Sequence, residues 1–173
     1  MNTSSHEDFE YVINKYRNSL YKVAATFESD PDLIQDLHQD ILFAIWKALP
    51  RFKNKSSVHT FIYRVAYNQA INHVTKNSKV SKHENNSNDL NILAHSNSSE
   101  PDHYTSLQLE GQKLISIIRQ LPLMKRQLIT LSLEGFSYKE IAEVTGLNVN
   151  NIAVQLTRTK QQLKNIIEND YAK

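Results

Sequence analysis

The sequence predicts an all-α protein made of two small helical domains joined by a flexible linker. Three observations carry that expectation. Only three Gly and four Pro stand in 173 residues, among abundant Leu, Ile, Lys, Gln and Asn, a balance that favours helix throughout. Apolar residues recur at spacings of three and four in both halves of the chain, the period of an amphipathic helix. Between the halves, residues 77–100 (NSKVSKHENNSNDLNILAHSNSSE) are half Asn and Ser and keep no sustained period. That composition reads as a linker between an N-terminal helical bundle at 1–76 and a C-terminal four-helix domain at 101–173. As a flexible coil it spans roughly 25–30 Å end to end, and about 80 Å at full stretch. Leu90, Ile92 and Leu93 form a small apolar cluster within it.

The first element is a long helix over 5–28, where Phe9, Ile13, Tyr16, Leu20, Val23 and Phe27 make one apolar seam. Asp30 followed by Pro31 is a cap with proline at the first helical position. It opens a helix over 31–49 that stops at Leu49-Pro50, because a residue before proline disfavours the α region. The inward face is Leu33 or Ile34, then Leu37, Ile41, Ile45 and Ala48, while Asp36, Gln39 and Asp40 share the other flank. Residues 51–56 form a polar loop, and Ser56 or Ser57 caps a helix of about 58–76. Along it Val58, Ile62, Val65, Ala66 and Ile71 face the core, and Phe61 is expected to be the most buried ring. Beyond the linker a helix resumes from Pro101, with Tyr104, Leu107, Leu114, Ile118 and Leu121 on one face. Leu121-Pro122 separates it from a helix at about 122–134, whose Leu128, Ile129, Leu131 and Leu133 supply core.

Residues 136–163 (FSYKEIAEVTGLNVNNIAVQLTRTKQQL) read as a helix-turn-helix. Ser137 caps the first helix and Glu140, three residues on, reaches back to the cap N–H; Phe136 and Ile141 are placed as a hydrophobic staple. Gly146 supplies the positive φ that ends this helix, and Asn148 caps the next. Val149, Ile152, Leu156, Leu163 and Ile167 mark the buried stripe of that second helix. A short helix, a glycine turn and a longer helix form the unit that lays its second helix in a DNA major groove.

Charge is distributed in blocks. Counting Lys and Arg against Asp and Glu, residues 1–50 carry −4, 51–83 carry +7, 84–111 carry −5 and 112–173 carry +4. The basic blocks suit a polyanion such as DNA, and the acidic first block calls for a different contact. In 51–79, basic groups alternate with aromatic rings, the pairing that serves single-stranded nucleic acid: cations track phosphates while rings stack on bases. His59, Phe61, Tyr63, Arg64, Tyr67, Asn68, Asn72 and His73 cannot all be buried with the apolar set, and some of the rings belong to the core.

Other function classes find little support. With no cysteine there is no disulfide and no thiolate zinc site, which fits a cytoplasmic setting. The polar N-terminus MNTSSHEDFE is no signal peptide, and no apolar run approaches membrane-spanning length, so no membrane insertion is expected. Asp36 and Asp40 lie one turn apart, but no Glu-x-x-His pair stands on a companion helix, as a carboxylate-bridged metal site needs. The seven histidines (6, 38, 59, 73, 83, 95, 103) lack ligand spacing and are expected to be solvated. A metal hydrolase, or any enzyme, would need a ligand cluster, a nucleophile motif or a glycine-rich phosphate loop. None is visible, and no metal or cofactor is expected.

With both basic regions placed, the chain resembles bacterial RNA polymerase sigma factors of the extracytoplasmic-function class, in the sigma-70 family. DLHQDILFAIWKALPRF at 36–52 looks like that family's DLVQEVFLRLWRALPRF-type helix, and SSVHTFIYRVAYNQAINH at 56–73 like its SSFRTWLYRIARNLAIDH-type helix. Residues 121–163 are similar to its LPxxxR…GxSYxEIAxxxGxxxxTVxxRLxRAR-type segment. The resemblance covers nearly the whole chain and implies a promoter-specificity subunit. Asp36, Gln39, Asp40, Phe43 and Trp46 would dock on core RNA polymerase. Arg51, Phe52, Lys53, Asn54, Lys55, Ser56 and Ser57, with His59, Tyr63, Arg64, Tyr67, Asn68 and His73, would take the −10 element and capture bases as the duplex melts. Arg126, Arg158 and Lys160 would contact −35 phosphates, Asn150, Asn151, Val154 and Gln155 would face base edges, and Ser137 and Tyr138 complete that set. An anti-sigma factor is a further partner that the resemblance implies.

Three departures stand out. Ala153 and Gln155 occupy positions where the family usually has basic residues, Phe61 stands where tryptophan is common, and Tyr67 replaces a frequent arginine. The competing reading is a free-standing helix-turn-helix regulator of duplex operator DNA. It lacks a visible dimerisation helix to span two half-sites.

Overall fold

A computed structural model of the chain describes residues 3–84 and 106–171. Among these residues are seven α-helices and no strand: α1 (Thr3–Phe27), α2 (Pro31–Ala48), α3 (Val58–Glu84), α4 (Ser106–Arg119), α5 (Leu123–Leu133), α6 (Tyr138–Thr145) and α7 (Val149–Tyr171). The all-α expectation is met.

α1, α2 and α3 pack together as the N-terminal unit. The Asp30 carboxylate accepts the N–H groups of Asp32 and Leu33 and Pro31 opens α2, so the chain turns back within three residues. Ile34, Leu37, Ile41 and Ile45 of α2 are buried against α1's Val12, Tyr16, Leu20 and Val23, and Leu33 stays outside. A single 3-10 turn, Leu49–Arg51, replaces the last helical turn at Pro50. Ser57 caps α3: its Oγ accepts the Thr60 N–H at 3.0 Å.

α3 continues to Glu84, eight residues past the end expected from the sequence, since nothing between Lys76 and Glu84 breaks a helix. The remainder of the expected linker, its Leu90–Leu93 cluster and Tyr104 lie outside the described residues, as does the Leu107 side chain. Histidines also depart from expectation. His38 is buried, its ring 5.5 Å from that of Tyr21, and its Nε2 finds no partner in the protein. His73 bonds Glu28 at 2.9 Å. Burial would raise the Glu28 carboxyl pKa, but hydrogen bonds from His73 and from the Ser29 and Asp30 N–H groups hold it below the usual range.

The C-terminal unit has a core of its own, Ile117, Ile118, Leu121, Ile129 and Leu163, flanked by Leu114, Ile166 and Ile167. Its helix-turn-helix follows the sequence closely. Ser137 and Glu140 form the reciprocal capping box, and Gly146, at φ 75°, ends α6 in the left-handed region. Gly135, at φ 85°, turns the chain out of α5. Leu133 and Val149, expected inside, are exposed because each lies at a helix terminus, past the last turn that packs.

The two units are not separate. The larger core runs through both, joining α1–α3 to Leu128, Leu131, Phe136, Ile141, Val144, Ile152 and Leu156. α6 lies on α3, and α4 lies on α1.

Candidate nucleic-acid interface

Three surfaces carry the residues singled out from the sequence. On α2, Asp36, Gln39, Asp40, Phe43 and Trp46 fall at three- and four-residue spacings and share an outward face. Phe43 and Trp46 are 56% and 50% exposed and stack on each other with centroids 5.7 Å apart. Lys47 Nζ sits 5.2 Å from the Phe43 ring centre. Two large stacked rings beside carboxylates and open to water are unusual for a solvated helix face.

The second surface is the loop leading into α3. Phe52 pins it down, its ring 4.8 Å from that of Phe61, and Arg64 lies over the other ring at 5.7 Å. Asn54 takes a positive φ of 53°, which an Asn tolerates and which turns the loop outward. Arg51, Lys53, Asn54 and Lys55 are exposed, with Ser56 and Ser57 at the foot of the helix and Asn68 exposed further along. The loop is therefore a basic, open rim around an aromatic base.

The rest of α3 departs from expectation. Phe61 is only half-buried, Val58 is exposed, and the fully buried rings are Tyr63 and Tyr67. Their cover comes from α1, where Tyr16 meets Tyr63 and Phe27 meets Tyr67 edge-on, and from the C-terminal unit. The Tyr63 hydroxyl donates to Glu134 Oε2 at 2.9 Å, and the Tyr67 hydroxyl pairs with Thr130 Oγ1 at 2.5 Å. His59 stacks on Phe136 with centroids 4.4 Å apart and planes 17° apart, and Phe136 meets Tyr63 edge-on at 4.9 Å. Burial raises both tyrosine pKa values far above the ordinary range. Burial lowers that of His59, against a partial pull upward from Glu140 and Glu134. His73, held by Glu28, stands apart from this cluster.

The third surface is α7. Asn148 Oδ1 accepts the Asn150 N–H at 2.8 Å, so the helix N-terminus is capped from within. Ile152, Leu156, Thr159 and Leu163 point inward, and Asn150, Asn151, Val154 and Arg158 line the outward side with Gln155 at its margin. Ala153, Val154, Thr157 and Arg158 border a shallow depression there. Ser137 and Tyr138, at the start of α6, are exposed too. Lys160 is exposed but, at 100° per residue, lies on the far side of the helix from Arg158.

Arg126 is a correction. Its Nη2 donates to the carbonyls of Arg119 and Leu121, its Nη1 reaches Thr26 O at 3.4 Å, and its guanidinium lies 5.7 Å from the Phe27 ring centre. A guanidinium spent on three carbonyls holds the end of α1 and is not free for a phosphate. Arg119, which the sequence did not single out, does the same with Nε on Ala25 O at 2.7 Å. Between them they satisfy carbonyls in α1's last turn, where a cation also suits the helix dipole.

Among the described residues no cluster of His, Cys, Asp or Glu is arranged to hold a metal ion, and no helix is long and apolar enough to cross a membrane.

Comparison with known proteins finds relatives for both halves of the chain. The Sigma-70 region 2 family matches residues 12–80 and the Sigma-70 region 4 family residues 111–163, together more than two thirds of the chain. An ECF RNA polymerase sigma-E factor of Haemophilus influenzae is 24% identical over 166 residues, covering 92% of this chain and 87% of the relative. The RNA polymerase sigma-H factor of Pseudomonas aeruginosa is 25% identical over 172 residues, with 92% and 86% covered. Two solved structures share the fold. The sigma factor RpoE, in complex with the anti-sigma factor NepR from Bartonella quintana, aligns with a TM-score of 0.76 at 21% identity over 94% of this chain and 98% of that one. CnrH, in complex with the cytosolic domain of CnrY, aligns with 0.68 at 19% over 95% and 90%. With both sigma-70 regions present in order, each on the helices that carry its candidate surface, the chain is a sigma factor of the sigma-70 family, in the extracytoplasmic-function class.

Proposed function

We propose that the chain is a promoter-specificity subunit that divides its work among these three surfaces and performs no catalysis itself. The α2 face of Asp36, Gln39, Asp40, Phe43 and Trp46 docks on core RNA polymerase. The loop of Arg51–Ser57 and the outward side of α3, with Arg64 and Asn68, take the −10 element as it melts. Unstacking a base costs a few kcal/mol, which capture in a basic pocket with an aromatic floor offsets. The α7 face of Asn150, Asn151, Val154, Gln155 and Arg158 reads the −35 element in the major groove of intact duplex. With Ala153 and Gln155 where basic residues are usual, this grip relies on fewer charges.

The observation that carries the reading is the exposed Phe43–Trp46 stack within an acidic face, on the same unit as the basic loop. A protein that only bound DNA has no use for it. An anti-sigma factor, such as the one bound by the similar RpoE, is the third partner of the reading, beside core polymerase and promoter DNA. A gel-shift series tests it. Specific retention of promoter duplex should require core polymerase, and tight specific binding by the isolated chain would instead indicate a free-standing operator-binding regulator.

A further inference from the structure

Between Val149 and Arg158, the turns of α7 that the proposed function gives to base edges, Arg158 is the only charged residue. The centre of that face is apolar. Ala153, Val154 and Thr157 wall the shallow depression, with Arg158 at its edge, and Val154 is 50% exposed. Thr157 belongs to the apolar wall because its hydroxyl is already spent. Its Oγ1 donates to the Ala153 carbonyl at 2.9 Å, which leaves its methyl for the groove. We propose that this depression is a thymine-methyl site: Ala153, Val154 and Thr157 take C5-methyl groups of thymine in the −35 duplex, so that the chain selects A·T pairs there by apolar contact. The inference rests on the α7 reading given above and adds the class of base to it.

Base chemistry singles out that occupant. In the major groove thymine alone presents a methyl group, whereas guanine presents two acceptors that a paired cation meets best. Aliphatic walls would strip water from guanine O6 and N7 and return no hydrogen bond, a loss that a methyl group does not suffer. Asn150 and Asn151 lie three or four residues before Val154, and Gln155 stands beside it. Their carboxamides are the groups that pair with N6 and N7 of adenine, so polar and apolar contacts favour the same base pair. Arg158, at the edge, is left for a neighbouring phosphate, which positions the helix.

The test uses the chain assembled with core polymerase. Promoter duplexes from a mapped start site, randomised across the −35 segment, are selected for retention by this assembly. The selected duplexes are then rebuilt with uracil for thymine in that segment, which removes the methyl and keeps every hydrogen-bonding group. Selected segments should be rich in A·T pairs, and uracil should weaken retention about fourfold for each thymine seated in the depression. Val154→Ala should bind the thymine duplex several-fold more weakly and distinguish it from the uracil duplex by no more than about twofold. That ratio is read within each chain, so a loss of active protein does not move it. Selected segments without thymine, equal retention of thymine and uracil duplexes, or a uracil penalty that Val154→Ala leaves intact overturns the methyl site while the α7 reading stands. A selection that returns no preference anywhere in the −35 segment overturns both.

Discussion

His59 occupies a slot that prefers its neutral form. Phe136 stacks on one face of the ring, Tyr16 and Tyr63 pack around it, and the charged groups in reach are Glu134, Glu140 and Lys15. Because burial lowers its pKa in the folded chain, the unfolded chain binds a proton more readily. The His59 contribution to folding is then fully present above the ordinary histidine pKa of about 6.5 and weakens as pH falls through it. The urea midpoint should fall between about pH 7 and 5.5, and His59→Phe, which keeps the stack without the charge, should reduce that dependence. The two arginines separate by a different measurement. Arg126→Ala should lower unfolding free energy in urea by about 2–3 kcal/mol, since three carbonyls lose a charged donor, and leave the salt dependence of −35 duplex binding unchanged. Arg158→Ala should shift stability by less than about 0.5 kcal/mol and flatten that salt slope by about one.

At the scale of the element, legibility followed locality. α6 was readable in full because its determinants sit within ten residues: Ser137 and Glu140 at its start, Gly146 at its end. α2 was equally plain from Asp30-Pro31 to Leu49-Pro50. α3 was not, because its two faces are both partly apolar and the sequence does not say what covers the second. Tyr63 and Tyr67 pack on rings of α1 and are closed off by hydrogen-bond partners 71 and 63 positions away. Their line with Ala66 and Ala70, at spacings of three and four, was the available sign of a second packed stripe. Arg126 misled for the same reason, since a guanidinium reads as a phosphate ligand until the carbonyls it serves, one of them 100 residues back, are in view. Two element-level tests follow. Phe43→Ala and Trp46→Ala should each weaken core-polymerase binding by about 1–2 kcal/mol while leaving the urea midpoint in place, because the rings are already in water. Arg64→Ala should slow promoter opening more than it weakens polymerase binding, and equal loss of both would remove that residue from strand capture.

On the proposed reading, the whole molecule sets an acidic, aromatic docking face, a basic strand-capturing rim and a duplex-reading helix on one chain of seven described helices. Its charge blocks were legible in composition, whereas the continuous core that joins the two units, which no composition encodes, was not. The most direct measurement of the central claim is run-off transcription with purified core polymerase and this chain, with start sites mapped across genomic DNA. The account predicts a discrete set of new start sites, each preceded by shared −10 and −35 sequences, and their loss with Trp46→Ala. Core polymerase that initiates at the same places with and without the chain would contradict it.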